Sequence, residues 1–253
     1  MNSTSPLEKI SCIIPTRNEN SATTNENVLK LIKFISSNFL AFLEVIVVDD
    51  ASTFAFKLEN ETFDSSKNIK IKVLRNSVNL GKGASIHRGV MAASGDVIVL
   101  LDADLQINLE VIVSMISDIS NNTVDLAIGT RKHPKSEVIG SSSKVRKLVS
   151  FIFVVSVRLF LLPHISDTQC PLKAFRRSQL IEIFTQQRLR GYAYDAEIIY
   201  LAVQKRIKIL EYPVSWLDTR ANLPFFKAMF LLSQAIIDVT KVRVWYILGA
   251  YRI

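Results

Sequence analysis

A chain of 253 residues with 49% hydrophobic and 21% charged side chains can bury one large core and is too apolar to be disordered. Its formal net charge of +8 favours an anionic partner: phosphorylated substrates, an anionic membrane face or nucleic acid. The lysines and arginines are dispersed, with no zinc-finger spacing or RNA-binding aromatic signature, which excludes nucleic acid as a leading reading.

In chain order, short apolar runs alternate with helical patterns. Ile10–Ile14 predicts a strand followed by a loop at Pro15-Thr16-Arg17-Asn18-Glu19, and residues 25–39 carry Val28, Leu31, Ile32 and Ile35 on one helical face. Leu43–Val48 is a second strand, ending at Asp49-Asp50, and Ile69–Leu74 is a third. Residues 54–67 between them read as a polar loop. A helix over Lys82–Ala93 is introduced by Gly81, and Asp96–Leu101 is a fourth strand running into Asp102-Ala103-Asp104. A helix over Leu109–Ile119 and a strand at Val124–Ile128 follow. This rhythm predicts an α/β fold whose mostly parallel sheet is covered by helices on both faces. The two acidic pairs would then sit at the carboxyl edge of the sheet, where open α/β sheets bind ligands.

Beyond Arg131 the pattern changes. Residues 132–147 read as a basic, Ser-rich loop, and an apolar helix over Leu148–Leu162 follows. Then come the segment Asp167–Arg177, a helix over Ala193–Gln204, a strand at Lys208–Pro213, and an amphipathic C-terminal stretch. Mean hydropathy is +0.25, and the excess lies in Leu148–Pro163 and residues 223–253. The first is short and interrupted by Arg158, the second by Lys227, Asp238 and Lys241, so neither reads as a simple span. The N-terminus lacks a basic-then-apolar signal peptide. Cys12 and Cys170 lie far apart without metal-ligand spacing, which suits buried thiols in a reducing compartment.

Asp102 and Asp104 are the sharpest chemical signal. Two carboxylates at the end of a buried strand can share a hard divalent cation, which in turn takes phosphate oxygens as further ligands. A D-x-D turn in solvent is the bland alternative; the second acidic pair at a parallel strand end favours the cation. Asp49-Asp50-Ala51-Ser52 either accepts hydrogen bonds from a nucleotide or forms a turn cluster. Asn79-Leu80-Gly81-Lys82-Gly83 is either a phosphate-cradling loop or a plain Gly-rich turn, since it lacks full P-loop spacing. His87 falls on a helix, and His133 and His164 in loops, none with a catalytic neighbour.

Taken together, these stretches resemble family 2 glycosyltransferases of the GT-A fold. The most similar are the dolichyl- or polyprenyl-phosphate glucosyl- and mannosyltransferases. The resemblance runs over about residues 10–220 and continues through Gly129-Thr130-Arg131, Asp167-Thr168-Gln169-Cys170, Lys173-Ala174-Phe175, Tyr194-Asp195-Ala196-Glu197 and Tyr212-Pro213-Val214-Ser215-Trp216. The D-T-Q-C and K-x-F pieces are more similar to the glucosyltransferases.

The resemblance implies that Pro15, Arg17, Glu19, Asp50 and Lys82 line a nucleotide-sugar pocket. It implies that Asp102 and Asp104 hold Mg2+ or Mn2+ against the donor diphosphate, and that Gln106 faces the sugar. Asp195 and Glu197 would complete the sugar and metal end, while Arg131, Arg146 and Ser150 would receive the acceptor phosphate. The implied reaction inverts the anomeric carbon, with glucose from UDP-glucose as the expected donor and GDP-mannose as its rival. A polysaccharide or protein acceptor would need a base, with Asp195 or Glu197 as candidates; a non-enzymatic nucleotide-binding subunit is the remaining alternative.

Three positions depart from the family pattern. Ala51 stands where Gly is usual, tolerable if its φ is negative. Pro171 replaces a Gly, and the basic piece expected past Trp216 is reduced to Arg220. A transferase domain over residues 1–222, with an interface helix at about 148–163, and an amphipathic segment over 223–253 are expected. The apolar helices would rest on the cytoplasmic face of a plasma or endoplasmic-reticulum membrane, bound peripherally. The alternative is that they pack into a core or between copies in a homo-oligomer.

Overall fold

The computed structural model describes residues 9–58, 68–140, 143–218 and 224–252. Its first half is β1 (Lys9–Thr16), α1 (Ser21–Asn38), β2 (Phe42–Asp49), β3 (Ile69–Arg75), α2 (Lys82–Ala92), β4 (Val97–Leu100), α3 (Glu110–Ser120) and β5 (Leu126–Thr130). Its second half is β6 (Glu137–Ile139), α4 (Lys144–Phe160), β7 (Lys173–Arg176), α5 (Arg177–Thr185) and α6 (Tyr194–Gln204). β8 (Ile209–Pro213), β9 (Ser215–Leu217) and α7 (Phe225–Ile247) complete the chain.

Seven strands form one sheet in the order β3-β2-β1-β4-β7-β5-β8. β7 runs antiparallel to both its neighbours and the other pairings are parallel. The sheet is therefore the mostly parallel one the sequence predicts, with an unforeseen reversed strand in it. β1, β2 and β4 are buried on both faces, which is why they read as nearly continuous apolar runs. Alternate residues serve the two cores. Ile13, Val48 and Leu100 pack toward α2, α5 and α6, whereas Cys12, Val47 and Val99 pack toward α1 and α3. Both cysteines are free and buried, as expected.

Register fixes the functional edge. Pro15 is opposite Val48, Thr16 opposite Asp49, and Ile13 opposite Leu100. The residues that leave β1, β2 and β4 thus emerge side by side. Asp50 N donates to Thr16 O (2.9 Å) and Leu101 N to Ile13 O (3.1 Å), extending the ladder one step into the loops.

The segment expected as a loop over 132–147 contains β6 and the start of α4, whose first turn is capped by Ser143 Oγ accepting from Arg146 N (3.3 Å). β6 pairs with β9 in a two-stranded sheet that the sequence did not suggest. α4 and α7 pack on each other. Their inner faces, through Phe153, Val157, Leu232, Val239 and Val242, belong to the core, so the core-packing alternative holds for those faces. Their outer faces remain apolar and exposed: Leu148, Phe151, Val155 and Leu159 on α4, with Phe226, Phe230, Ile237 and Val244 on α7. Among the described residues no helix is long and apolar enough to cross a membrane. Arg220, residues 59–67 of the polar loop and the expected domain boundary at 222 lie outside the described residues.

Candidate active site

The carboxyl edge carries a cleft of about 320 Å³. Pro15, Thr16, Arg17 and Glu19 line it from the end of β1, Asp50 from β2, and Asp102, Ala103 and Asp104 from β4. The N-terminus of α2 adds Asn79, Gly81, Lys82 and Ser85, and the segment before α6 adds Gly191 and Tyr192. Every residue expected in the nucleotide pocket is in this lining, together with the expected metal pair.

Lys82 Nζ lies 2.6 Å from Asp102 Oδ1. Burial works to lower the Lys82 pKa, but the charges of Asp102 and Asp195 outweigh it and raise the value. Asp104 is pushed up to about 6, first by burial and then by the negative charges of Asp102 and Glu19. Four carboxylates (Glu19, Asp50, Asp102 and Asp104) therefore line the cleft with one ammonium among them, and the pair Asp102 and Asp104 offers hard oxygens of the kind a divalent cation takes. Among the described residues no group of three or more His, Cys, Asp or Glu is arranged to hold a metal. A cation here would have Asp102 and Asp104 from the chain and take its other ligands from substrate, as Mg2+ commonly does.

Asp50 lines the cleft and is also tied into the turn beside it. Its Oδ1 accepts from Asn76 Nδ2 (2.8 Å) and Leu80 N (2.9 Å), and its Oδ2 from Gly81 N (2.8 Å). The Asn79 amide bridges Asp50 Oδ2 (2.8 Å) and Arg17 Nη1 (3.2 Å). Asp50 thus shapes the cleft by tying down the turn before α2, and its oxygens are already occupied by that turn. Two amides of that turn are already engaged: Gly81 N donates to Asp50, and Ala84 N donates to Arg190 O (3.1 Å). Its glycines serve close packing. A Cβ on Gly81, whose φ is +98°, would lie 2.5 Å from Arg190 O, and one on Gly83 would lie 2.7 Å from Tyr194 Cβ.

Ala51 has φ 55°, so the condition that would make Ala tolerable there is not met and the chain accepts left-handed strain where Gly would be free of it. Leu105, at φ 43°, turns the chain sharply after Asp104. This carries Gln106 toward β9, where its carbonyl accepts from Leu217 N (2.9 Å), so Gln106 stands beside the cleft lining instead of within it.

Asp195 and Glu197 part company. Residues two apart on a helix point about 200° away from each other, so they cannot serve one site. Asp195 is buried within reach of the Lys82 charge, and Lys173 Nζ pairs with it at 2.6 Å; burial holds its carboxyl above the usual range even against Lys173 and Lys82. Glu197 is fully buried and accepts from Arg188 N (2.9 Å), Leu189 N (2.8 Å) and Tyr251 Oη (2.7 Å). Its expected place at the sugar and metal end is corrected: it braces a loop.

Arg131 leaves β5 and is gripped by Asp167, with Nε to Oδ2 at 2.7 Å and Nη2 to Oδ1 at 2.9 Å, while its guanidinium covers the Trp216 ring at 5.2 Å. Much of its charge is therefore compensated. Arg146 and Ser150 stand one turn apart on α4, half-buried and exposed. Sequence reasoning missed Tyr192, Lys173 and the role of Asp167. The last two were visible only as motif letters, and Tyr192 carried no signal.

A mostly parallel sheet whose carboxyl edge presents paired aspartates and a lysine is a ligand-binding edge of the kind that suits a phosphorylated substrate with a divalent cation. The chain belongs to glycosyl transferase family 2, whose sequence model matches residues 11–184. It is 30% identical to the dolichyl-phosphate beta-glucosyltransferase of Saccharomyces cerevisiae, over 96% of this chain and 76% of that protein. It is 29% identical to the enzyme of the same name from Homo sapiens, over 98% and 79%. Among solved structures it is similar to glucosyl-3-phosphoglycerate synthase from Mycobacterium tuberculosis in complex with Mn2+, UDP-glucose and phosphoglyceric acid. That likeness has a TM-score of 0.63 and 20% identity, covering 93% of this chain and 79% of that one, and it establishes the GT-A fold.

Proposed function

We propose that this chain transfers glucose from UDP-glucose to the phosphate of dolichyl or a related polyprenyl phosphate, giving a β-linked lipid phosphosugar by inversion. The observation that carries the reading is the cleft itself, where Asp102, Asp104 and Lys82 gather at the end of β4 beside the Arg17 and Asp50 wall. The named relatives, which match nearly the whole chain, support the donor sugar and the lipid acceptor.

The acceptor phosphate is already anionic near neutral pH, so its oxygen can attack without a general base. The site suits this. Asp195 is locked against Lys173, and Glu197 faces a loop, so neither is set to take a proton from a hydroxyl acceptor. This disfavours the polysaccharide or protein acceptor. Lys82 offers a positive charge where the donor diphosphate would leave, and Arg17 offers another at the pocket rim. Mg2+ or Mn2+, when bound at Asp102 and Asp104, would supply further charge neutralisation to the departing nucleoside diphosphate.

The acceptor phosphate is assigned to Arg146 and Ser150 on the first turns of α4, with the remaining face of Arg131. The N-terminus of a helix favours an anion, and Arg146 adds to it. From that point Leu148, Phe151, Val155 and Leu159 run up the exposed face of α4, a path along which an isoprenoid tail can lie at a membrane surface. The deciding experiment incubates the protein with radiolabelled UDP-glucose or GDP-mannose, polyprenyl phosphate and Mg2+ or Mn2+, then extracts the lipid phase. Label from UDP-glucose in an acid-labile lipid is expected. Label from GDP-mannose alone reassigns the donor, and label in neither lipid product refutes the reading.

A further inference from the structure

The segment 187–192, whose Gly191 and Tyr192 line the cleft, is braced by residues 245–251. It lies against the start of α2, where Arg190 O accepts from Ala84 N (3.1 Å) and Gln187 Nε2 donates to Gly83 O (2.9 Å). Behind it, Arg188 N and Leu189 N both donate to the buried carboxylate of Glu197. That carboxylate also accepts from Tyr251 Oη, which comes from the turn after α7. A second tie runs beside it: Arg188 Nη2 donates to Ala250 O (2.6 Å), and its guanidinium covers the rings of Trp245 (5.7 Å) and Tyr251 (5.4 Å). Two residues further along, the same loop presents Gly191 and the 67% exposed Tyr192 to the cleft.

We infer that Tyr251 and Glu197 are positioning residues for the donor, which fix Gly191 and Tyr192 in the cleft wall through the amides of Arg188 and Leu189. A brace whose only task was to seal the C-terminus would not need to converge on two consecutive amides of a cleft-lining loop. The brace also has little slack: the loop abuts Gly81 so closely that no Cβ fits between them. A shift of its far end must therefore move the wall outward, into the space the donor would occupy. This inference rests on the reading of the cleft as a nucleotide-sugar site.

The test uses the full chain with Mn2+ and measures UDP-glucose affinity by calorimetry, the KM for polyprenyl phosphate, and Tm. The variants are Tyr251→Phe, Tyr251→Ala and Glu197→Gln. Tyr251→Phe keeps the ring under Arg188 and removes one donor, and is expected to weaken UDP-glucose binding about fivefold to tenfold. The acceptor KM is expected to stay within about twofold, because α4 and Arg131 are not in the brace. Tyr251→Ala should weaken the donor further, and Glu197→Gln, which keeps one acceptor for the amides, should fall between wild type and Tyr251→Ala. A lowered Tm with unchanged UDP-glucose affinity at a temperature well below Tm would show a purely structural brace and overturn the inference. Should Tyr251→Ala not fold, the result for Tyr251→Phe decides. Wild-type protein that binds no UDP-glucose removes the donor reading and this inference with it, an outcome distinct from equal binding by wild type and variant.

Discussion

Replacing Lys173 by Met probes the most buried charge pair among the described residues. The Lys173 and Asp195 side chains are only 2% and 5% exposed, with 2.6 Å between Nζ and Oδ1, and Nζ also donates to Cys170 O at 2.6 Å. Removing one partner of such a pair costs about 3–5 kcal/mol, because the other charge stays buried without compensation. For a chain of this size each kcal/mol moves Tm by about 2–4 °C, so a fall of about 6–20 °C is expected by differential scanning calorimetry. The loss has a pH signature. Burial raises the Asp195 carboxyl, and without Lys173 only the charge of Lys82 and the Tyr194 hydroxyl still oppose that rise. An acid with a raised folded pKa stabilises the fold when protonated, and that contribution is lost as pH rises through the folded value. The variant should accordingly sit nearer wild type at pH 5 than at pH 8. Adding Asp195→Leu to Lys173→Met should recover about half of the loss or more, since an apolar pair carries no desolvation penalty. Singles that simply add in the double variant, or a deficit equal at both pH values, would refute this account of the buried pair.

Asp104→Asn is expected to lower metal-supported transfer about 100-fold or more with Tm essentially unchanged, and full activity in that variant would remove the cation from the site. Because Asp104 titrates at about 6, protons compete with the cation below that pH. Mn2+ affinity of the wild type, followed by calorimetry, should fall by up to tenfold per pH unit below about 6, and a flat profile between pH 5 and 7.5 contradicts the assignment. Ala51→Gly removes left-handed strain worth about 1–2 kcal/mol and adds some unfolded-chain entropy, for a net gain of about 0.5–1 kcal/mol in urea unfolding. Destabilisation there would refute the strain. Phe151→Ser with Leu159→Ser should reduce co-sedimentation with anionic vesicles about tenfold while leaving Tm within about 2 °C; a large Tm loss would assign both side chains to packing instead.

The sequence made the donor half of the site legible because its signals are local. β1, β2 and β4 are apolar runs ending in charged turns, and Asp102 and Asp104 follow β4 directly. The parts it hid depend on partners far along the chain. β7 is four residues long and begins with a lysine, which is admitted to the interior only because Asp195 neutralises it. Arg131 reads as a free phosphate ligand until Asp167 is seen to grip it. The motif that carries the resemblance places Glu197 beside Asp195, although helical geometry alone separates them. β6 and β9 are three residues each and partly exposed, too short to carry a period. Ala51 could not disclose its φ, since nothing in the letters shows that Asp49 and Asp50 commit the turn around it.

The reversed strand has a consequence for spacing. β4 and β5 both run toward the functional edge, and β7 starts from that edge between them, so three consecutive rungs open on the same side. Adjacent rungs lie about 4.8 Å apart, which sets the departure points of Asp102 and Arg131 roughly 10 Å from each other by backbone pairing alone. The distance from donor end to acceptor end is thus ruled by the hydrogen-bonded ladder, whose pitch no side-chain substitution can stretch.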